Sequence, residues 1–301
     1  HLRSSLGKRM VLMMMTFTSL LWDRKQGTLR MAGMYLLTLI GSCPGFYLFL
    51  YFITVGYSLG VTLPITALMM LTWYYQKPIQ PCTAIHSGLT ILWGIRSAAF
   101  FLHREYIGWP QLHTKVVEVD QMASIYSKVF CWIVYSFFYT AMSTPCLYRM
   151  TNCKGWSIFG KLAISLQGMG LILESIADFQ KSQFKSLPGN RNRWCNIGLF
   201  RYSTYPNYLG ELLFWYGNFL AGIASFRRPQ HWILPIMGIS FITIVMRGAI
   251  EALGTKQNRK YGNNPDFLEH RRTYGLLGPK VDVLHYLYPR LQLYFGVRDK
   301  I

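Results

Sequence analysis

The sequence predicts an all-α fold, a polytopic membrane helix bundle of about seven transmembrane helices, and three observations predict it. Hydrophobic residues make up 51% of the chain and charged residues only 14%, where a soluble domain carries about 25% charge. The apolar residues fall in long runs, most of them near the ~20 residues that cross a bilayer as helix. The runs do not alternate polar and apolar over about ten residues, which speaks against a closed barrel, the other architecture that satisfies backbone groups in lipid.

Residues 31–76 carry no charge. As one helix they would run about 69 Å at ~1.5 Å per residue, against a hydrocarbon core of about 30 Å. The run therefore reads as two spans, 31–53 and 57–76, broken within Gly56–Gly60, with Pro64 inside the second. The third span covers 82–102 and holds one charge, Arg96. The fourth covers 127–148, with Pro145 in its last turn. The fifth covers 156–178, with Lys161 near one end and Glu174 and Asp178 near the other. The sixth runs over 207–225 and holds Glu211, and the seventh over 231–249, closed by Arg247. A short apolar stretch before them, Met10 to Trp22, ends in charge and reads as interfacial. The organisation is a basic interfacial segment over 1–30, the transmembrane bundle over 31–250, and a basic C-terminal tail over 251–301.

The net charge of +19, from 31 Lys+Arg against 12 Asp+Glu, fits an anionic partner. Its placement between apolar runs points to membrane lipids and an anionic small molecule, and argues against nucleic acid. With seven spans, the loop after the fifth and the tail after the seventh fall on one side. The loop carries Lys181, Lys185, Arg191, Arg193 and Arg201, and the tail carries Lys256, Arg259, Lys260, Arg271, Arg272, Lys280 and Arg290. The excess of positive charge assigns that side to the cytosol or the mitochondrial matrix. The first thirty residues hold Arg3, Lys8, Arg9, Arg24, Lys25 and Arg30 against Asp23. A basic, acid-poor, serine-containing start also reads as the end of a transit peptide. The addresses that remain are the endoplasmic reticulum and the mitochondrial inner membrane. The six cysteines form no C-x-x-C pair and have no histidine at metal-ligand spacing, so no metal site is expected.

Residues 174–211 carry the chemistry. Glu174 and Asp178 share a helix face four residues apart, and they read either as a site, since a carboxylate inside a membrane helix is costly, or as a pair of interfacial acids neutralised by Lys181 and Lys185. Pro206 suits the first turn of the sixth helix, where its missing N–H costs nothing and the free N–H groups can meet a phosphate. Glu211 lies one turn further in. No G-x-G-x-x-G follows a strand, so a Rossmann domain is not on offer.

The string Ala177-Asp178-x-Gln180-Lys181-x-x-Phe184-Lys185, followed by Trp194-Cys195-x-x-Gly198-Leu199-Phe200-Arg201-Tyr202-Ser203-x-x-Pro206-Asn207-Tyr208-x-Gly210-Glu211, resembles the signature of the steroid 5α-reductase superfamily. Its branch of uncharacterised short membrane proteins is the nearest in length. Leu92-Trp93-Gly94-Ile95-Arg96 is similar to that family's tryptophan–arginine helix, and Lys260-Tyr261 through Arg271-Arg272-Thr273 to Pro279 is similar to its ending. The likeness covers about residues 85–280. It implies a seven-helix bundle that holds NADPH near one membrane face, with the basic tail packing there. Asp178, Lys185, Arg201, Tyr202, Asn207, Glu211 and Tyr261 stand where family members contact the cofactor, and Arg271 or Arg272 matches a further phosphate-binding arginine. It implies an oxidoreductase of lipid metabolism that delivers hydride to a carbon–carbon double bond of an apolar lipid or sterol-like substrate. A protein acid must then polarise the substrate and supply a proton. The candidates for it are Tyr74, Tyr75 and His86, with Arg96 to orient one of them.

The chain departs from the family pattern in several places. Tyr205 stands where His is usual, His270 where Tyr is usual and Tyr135 where Gln is usual. Glu105-Tyr106-Ile107-Gly108-Trp109 replaces an acidic–arginine pattern. These departures motivate a second reading, a catalytically relaxed relative that serves as an accessory structural subunit of a larger membrane complex, for example one of the mitochondrial inner membrane.

Overall fold

A computed structural model describes residues 22–23, 28–75, 77–108, 111–152 and 157–280. The interfacial stretch from Met10, the N-terminal basic residues through Lys25 and the tail beyond Lys280 lie outside the described residues, apart from Trp22 and Asp23. Two residues on each side form a small antiparallel ladder, β1 (Trp22–Asp23) with β2 (Thr28–Leu29). Everything else of note is helical: α1 (Met31–Ser42), α2 (Val55–Tyr74), α3 (Pro81–His103), α4 (Gln111–Met122), α5 (Ile125–Asn152), α6 (Ile158–Ser186), α7 (Pro206–Gly222), α8 (Gln230–Tyr261) and α9 (Pro265–Thr273). This is a helical membrane bundle. Among the described residues, five helices are long and apolar enough to cross a bilayer: α2, α3 with the turn that follows it to Gly108, α5, α6 and α8.

Two of the seven expected spans come out differently. The first stops at Ser42, and a one-turn helix (Pro44–Tyr47) and a 3-10 turn (Phe49–Ile53) follow. Pro44 has no N–H to give to the carbonyl four residues back, so the ladder ends there. The glycines read as a break, Gly56 and Gly60, lie inside α2 instead. The sixth, α7, has 17 residues and ends at Gly222. In the other direction, α6 and α8 outrun their apolar stretches by reaching Ser186 and Tyr261, so the boundary expected at 250 falls inside a helix. Hydropathy reports where lipid ends. Helix continues as long as good helix formers follow.

The chain divides into two compact units. Unit 1 comprises residues 1–168 and 214–242. Its helices meet through small residues, as lipid-embedded helices do when packing rather than hydrophobicity drives association. A Cβ on Gly41 would stand 2.6 Å from the Leu59 carbonyl, and one on Gly94 would meet the Thr62 hydroxyl of α2. The end of α1 is tied to α5: the Trp132 indole donates to the freed Leu39 carbonyl at 2.8 Å, and the Ser42 and Ser136 hydroxyls share a 2.7 Å bond. Thr144 does the same inside α5, bonding at 2.6 Å the Ala141 carbonyl that Pro145 leaves without its helical donor. An aromatic knot of Tyr57, Trp93, Phe214 and Trp215 fills the centre, with Trp93 4.9 Å from the Tyr57 and Trp215 ring centres.

Unit 2 comprises residues 169–213 and 243–301. Its core residue is Phe267 of α9, buried against Trp194 and Tyr261, whose rings each lie 5.7 Å away. Asn264 caps α9, accepting the Phe267 N–H at 3.1 Å.

Candidate functional site

In unit 2 the basic loop after α6 and the basic segment after α8 close on each other. Lys260 reaches Asn192 at 2.9 Å, Arg271 donates to the Tyr205 hydroxyl at 2.6 Å, His270 bonds the Phe200 carbonyl at 2.9 Å, and Ser203 donates to Leu276 O at 2.7 Å. Arg271 also lies over the Tyr205 and Phe267 rings, 5.5 and 5.8 Å from their centres. Both rings lie within cation–π range of the guanidinium. The string that carries the family resemblance is folded locally for the same purpose. Gly198 has φ +53°, and a Cβ there would fall on the Gln180 side chain, while Gln180 Oε1 accepts the Leu199 N–H at 2.9 Å. The turn therefore sits directly on α6, which only glycine allows.

The expected cofactor contacts divide by exposure. Asp178 is buried, as is Glu174 one turn earlier, and Asn207 and Glu211 are half-buried. The Asn207 side-chain oxygen is buried with no hydrogen-bond partner. A Cβ on Gly210 would fall on the backbone of Glu174, so α7 and α6 touch main chain to main chain beside the acids. Arg201, Tyr202 and Arg272 are exposed, Arg271 and Tyr261 half-buried. Lys185 turns its ammonium toward the loop that follows α6. Its ammonium donates to the carbonyls of Asn190, at 3.4 Å, and Arg191, at 3.2 Å, and to that of Arg193, and it reaches the Tyr261 hydroxyl at 3.5 Å. It folds the 187–193 loop over itself. Burial holds the His270 imidazole below its ordinary range, against the opposing pull of its bonds to the Phe200 and Arg201 backbone, with Arg271 adding to the lowering. Burial likewise pushes the Cys195 thiol up, so it stays protonated at neutral pH.

In unit 1 the three acid candidates part company. Tyr74 and Tyr75 stand at the C-terminal end of α2, 71% and 41% exposed and ring to ring at 5.2 Å. His86 is fully buried on α3. Its Nε2 lies 2.9 Å from Asn218 Oδ1 of α7, and Asn218 Nδ2 donates to the Met142 carbonyl at 3.0 Å. A carbonyl can only accept, so the amide orientation is fixed and His86 carries its proton on Nε2. Cys146 lies 3.7 Å from the same Nε2 and 3.5 Å from Asn218 Oδ1. Thiol and amide thus share one ring nitrogen, an arrangement that cannot serve as a nucleophile–base–orienter triad, which needs both nitrogens. His86 Nδ1 has no partner. Gln167, fully buried, donates to Thr90 at 3.0 Å.

The sequence reading passed over Asn218, Gln167 and Arg149. The signal was present, since each is a strongly polar residue in or beside an apolar run. Arg149 bonds the Ala221 carbonyl at the end of α7.

The family described as protein of unknown function (DUF1295) matches residues 54–274. The chain belongs to that family. The DUF1295 match begins earlier than the motif likeness, at the start of α2, and ends at Tyr274 beside α9, so it takes in both polar groups described above. No curated protein and no solved structure matches the chain.

Proposed function

We propose that this protein is a membrane-embedded reductase that uses NADPH to reduce a carbon–carbon double bond in a lipid-like substrate, as a distant relative of the steroid 5α-reductases. The observation that carries the proposal is the closure of the basic loop and basic tail around Tyr205, Phe267 and Arg271, in the same unit as the buried acids Glu174 and Asp178. The residues present suit a phosphorylated dinucleotide. Exposed Arg201 and Arg272, with Arg271 held by the Tyr205 hydroxyl, offer bidentate donors to phosphates. Asp178, Glu211 and the buried, unpartnered Asn207 oxygen offer acceptors to ribose hydroxyls and to a carboxamide. Tyr202 and Tyr261 offer flat faces, and Lys185 keeps the loop in shape. Bound there, the dinucleotide would supply hydride. Of the three acid candidates, His86 is the one fixed in a buried polar network, with its Nε2 proton directed to Asn218. The endoplasmic reticulum and the mitochondrial inner membrane are the proposed locations.

Purified protein in lipid nanodiscs should quench its tryptophan fluorescence with NADPH and far less with NADH, and should oxidise NADPH when an enone lipid is added. Absence of binding by either dinucleotide to folded protein would overturn the reading.

A second reading, an accessory subunit of a larger membrane complex, draws on the family departures and on the exposed aromatic end of α2, where Trp73 is 76% exposed beside Tyr74. It requires stoichiometric co-purification with other subunits from native membranes. Full activity of the isolated chain would rule it out.

A further inference from the structure

At the end of unit 1 where α5 and α7 stop and α6 begins, a positive charge is buried without a counter-charge. Arg149 stands in the last turn of α5 and is 3% exposed. Among the described residues its guanidinium makes one hydrogen bond, to the Ala221 carbonyl at the end of α7, and no carboxylate pairs with it. Its Nε is buried with no partner. Asp120 is committed to Lys128, near the opposite end of α5, and Glu105 to His113. The C-terminal dipoles of α5 and α7 offset part of the charge. A buried guanidinium held by one carbonyl still leaves the rest unbalanced.

The first turn of α6 lies against this guanidinium. A Cβ built on Gly160 would have as its three nearest heavy atoms Ser157 Oγ at 3.1 Å and the two Arg149 Nη nitrogens at 3.5 and 3.7 Å. The space a side chain would fill is thus bounded by three hydrogen-bonding atoms. Ser157 Oγ accepts the Gly160 N–H at 3.0 Å, and a hydroxyl that accepts still has a hydrogen to donate. The first-turn N–H groups of this 29-residue helix have no acceptor within the helix, and they form the positive end of its dipole. Two positive groups set against each other repel unless an anion lies between them. The surroundings add cations: Arg227, whose Nη2 donates to Asn152 O at 2.6 Å, and exposed Lys161 and Arg228. Neither 149–168 nor 214–242 contains an acid.

A tetrahedral oxyanion suits such a place, because it can take paired arginine donors and helix N–H groups at once. We propose that this end of unit 1 is a phosphate site, in which the oxyanion bridges the Arg149 guanidinium and the first turn of α6. Arg149 lies one helical turn from the end of α5 at Asn152, about 4.5 Å at ~1.5 Å per residue. A lipid headgroup and a dissolved phosphate both reach that level. The proposal goes beyond the reductase reading. Its residues all lie in unit 1, and none of them is assigned to the dinucleotide.

The test uses the full-length protein, delipidated in a maltoside detergent. One arm titrates inorganic phosphate at constant ionic strength in chloride buffer and reads binding by calorimetry. The other adds phosphatidylglycerol or phosphatidylcholine in mixed micelles and reads the unfolding midpoint. At least one of phosphate and phosphatidylglycerol should bind the wild type, and Arg149→Gln and Gly160→Val should each weaken that binding about tenfold or more, the worth of one charge-assisted hydrogen bond. Gly160→Val fills the space beside the guanidinium and keeps Arg149, so it decides the matter should Arg149→Gln fail to fold. Arg271→Ala, in unit 2, should leave the binding in place. A stabilisation by phosphatidylglycerol over phosphatidylcholine that the variants lose identifies a lipid headgroup as the source. Variant-sensitive binding of inorganic phosphate without that stabilisation identifies the free anion. If neither probe responds to Gly160→Val in folded protein, the proposal falls. Phosphate binding that is lost in Arg271→Ala and kept in Gly160→Val also overturns it, and leaves the dinucleotide reading standing.

Discussion

The two units solve the problem of buried polarity in opposite ways. Inside its membrane helices unit 1 relies mostly on neutral groups, hydroxyls bonded back to their own helices, as Thr38, Thr62, Thr72, Thr140 and Ser143 are, and an amide–imidazole pair. It keeps its charges at helix ends and turns, where Glu105 pairs with His113, Asp120 with Lys128, and Arg149 bonds the Ala221 carbonyl. Unit 2 uses charges, and satisfies cations with carbonyls and aromatic faces, as Lys185 and Arg271 show. A neutral network placed in lipid is insensitive to pH and salt. A cationic one leaves charge to spare for an anionic ligand. The difference teaches where to look for each kind of chemistry, and it can be broken in stages.

The largest effect belongs to the glycine of unit 1. Gly217→Val would drive a side chain into the backbone of Gln167 on α6. With main chain on the other side there is no room to yield, and the cost should be about 3 kcal/mol or more, at or beyond the top of the usual overpacking range. The unfolding midpoint in detergent would report it.

Next comes the amide–imidazole pair. His86→Leu leaves Asn218 Oδ1 buried with only a weak thiol donor, at about 1–3 kcal/mol. The double variant His86→Leu/Asn218→Leu should cost less than the sum of the two single variants, because both partners are then gone. Strict additivity would show that the pair is not coupled.

In unit 2, Arg271→Ala removes the bond to Tyr205 and the stack on Phe267. It should weaken NADPH binding about tenfold or more, the equivalent of one charge-assisted bond. Lys185→Ala should instead expose the 187–193 loop to protease while lowering NADPH affinity less than Arg271→Ala does. The reverse order would return Lys185 to the role of a direct phosphate ligand.

The smallest effect is the pH response of α9. Because burial lowers the His270 pKa in the folded state, the unfolded chain binds the proton more readily. The stabilisation is therefore complete above the ordinary imidazole value of about 6.5 and declines as pH falls below it. Amide protection factors at residues 265–273, which correct exchange for its intrinsic pH dependence, should fall between pH 7.5 and 5.5 in the wild type, and His270→Asn should flatten that dependence.

How much of this could be read from the chain follows the same division. The membrane helices were legible because lipid forces apolar residues into long runs, and the polar string from Ala177 to Glu211 was legible because it is continuous in sequence. The break in the first run was misplaced because glycine was taken for punctuation. Gly56 and Gly60 instead let α2 approach α1, where Cβ atoms would meet Ser42 O at 3.0 Å and Thr38 at 3.5 Å, and Pro44 made the break. The partner of His86 was invisible, since Asn218 is 132 residues away. Lys185 was placed among the cofactor contacts by resemblance, and the loop carbonyls that surround its ammonium are not recorded in the sequence.

One feature of α8 bears on how the molecule meets water. At ~1.5 Å per residue its 32 residues extend about 48 Å, against a hydrocarbon layer of about 30 Å. Some three turns must stand clear of the bilayer or the helix must lean steeply. The stretch from Glu251 to Lys260 is polar and mostly exposed, which favours the upright case. The last polar turns of the helix, Glu251 to Lys260, then reach water and the solutes that never enter lipid.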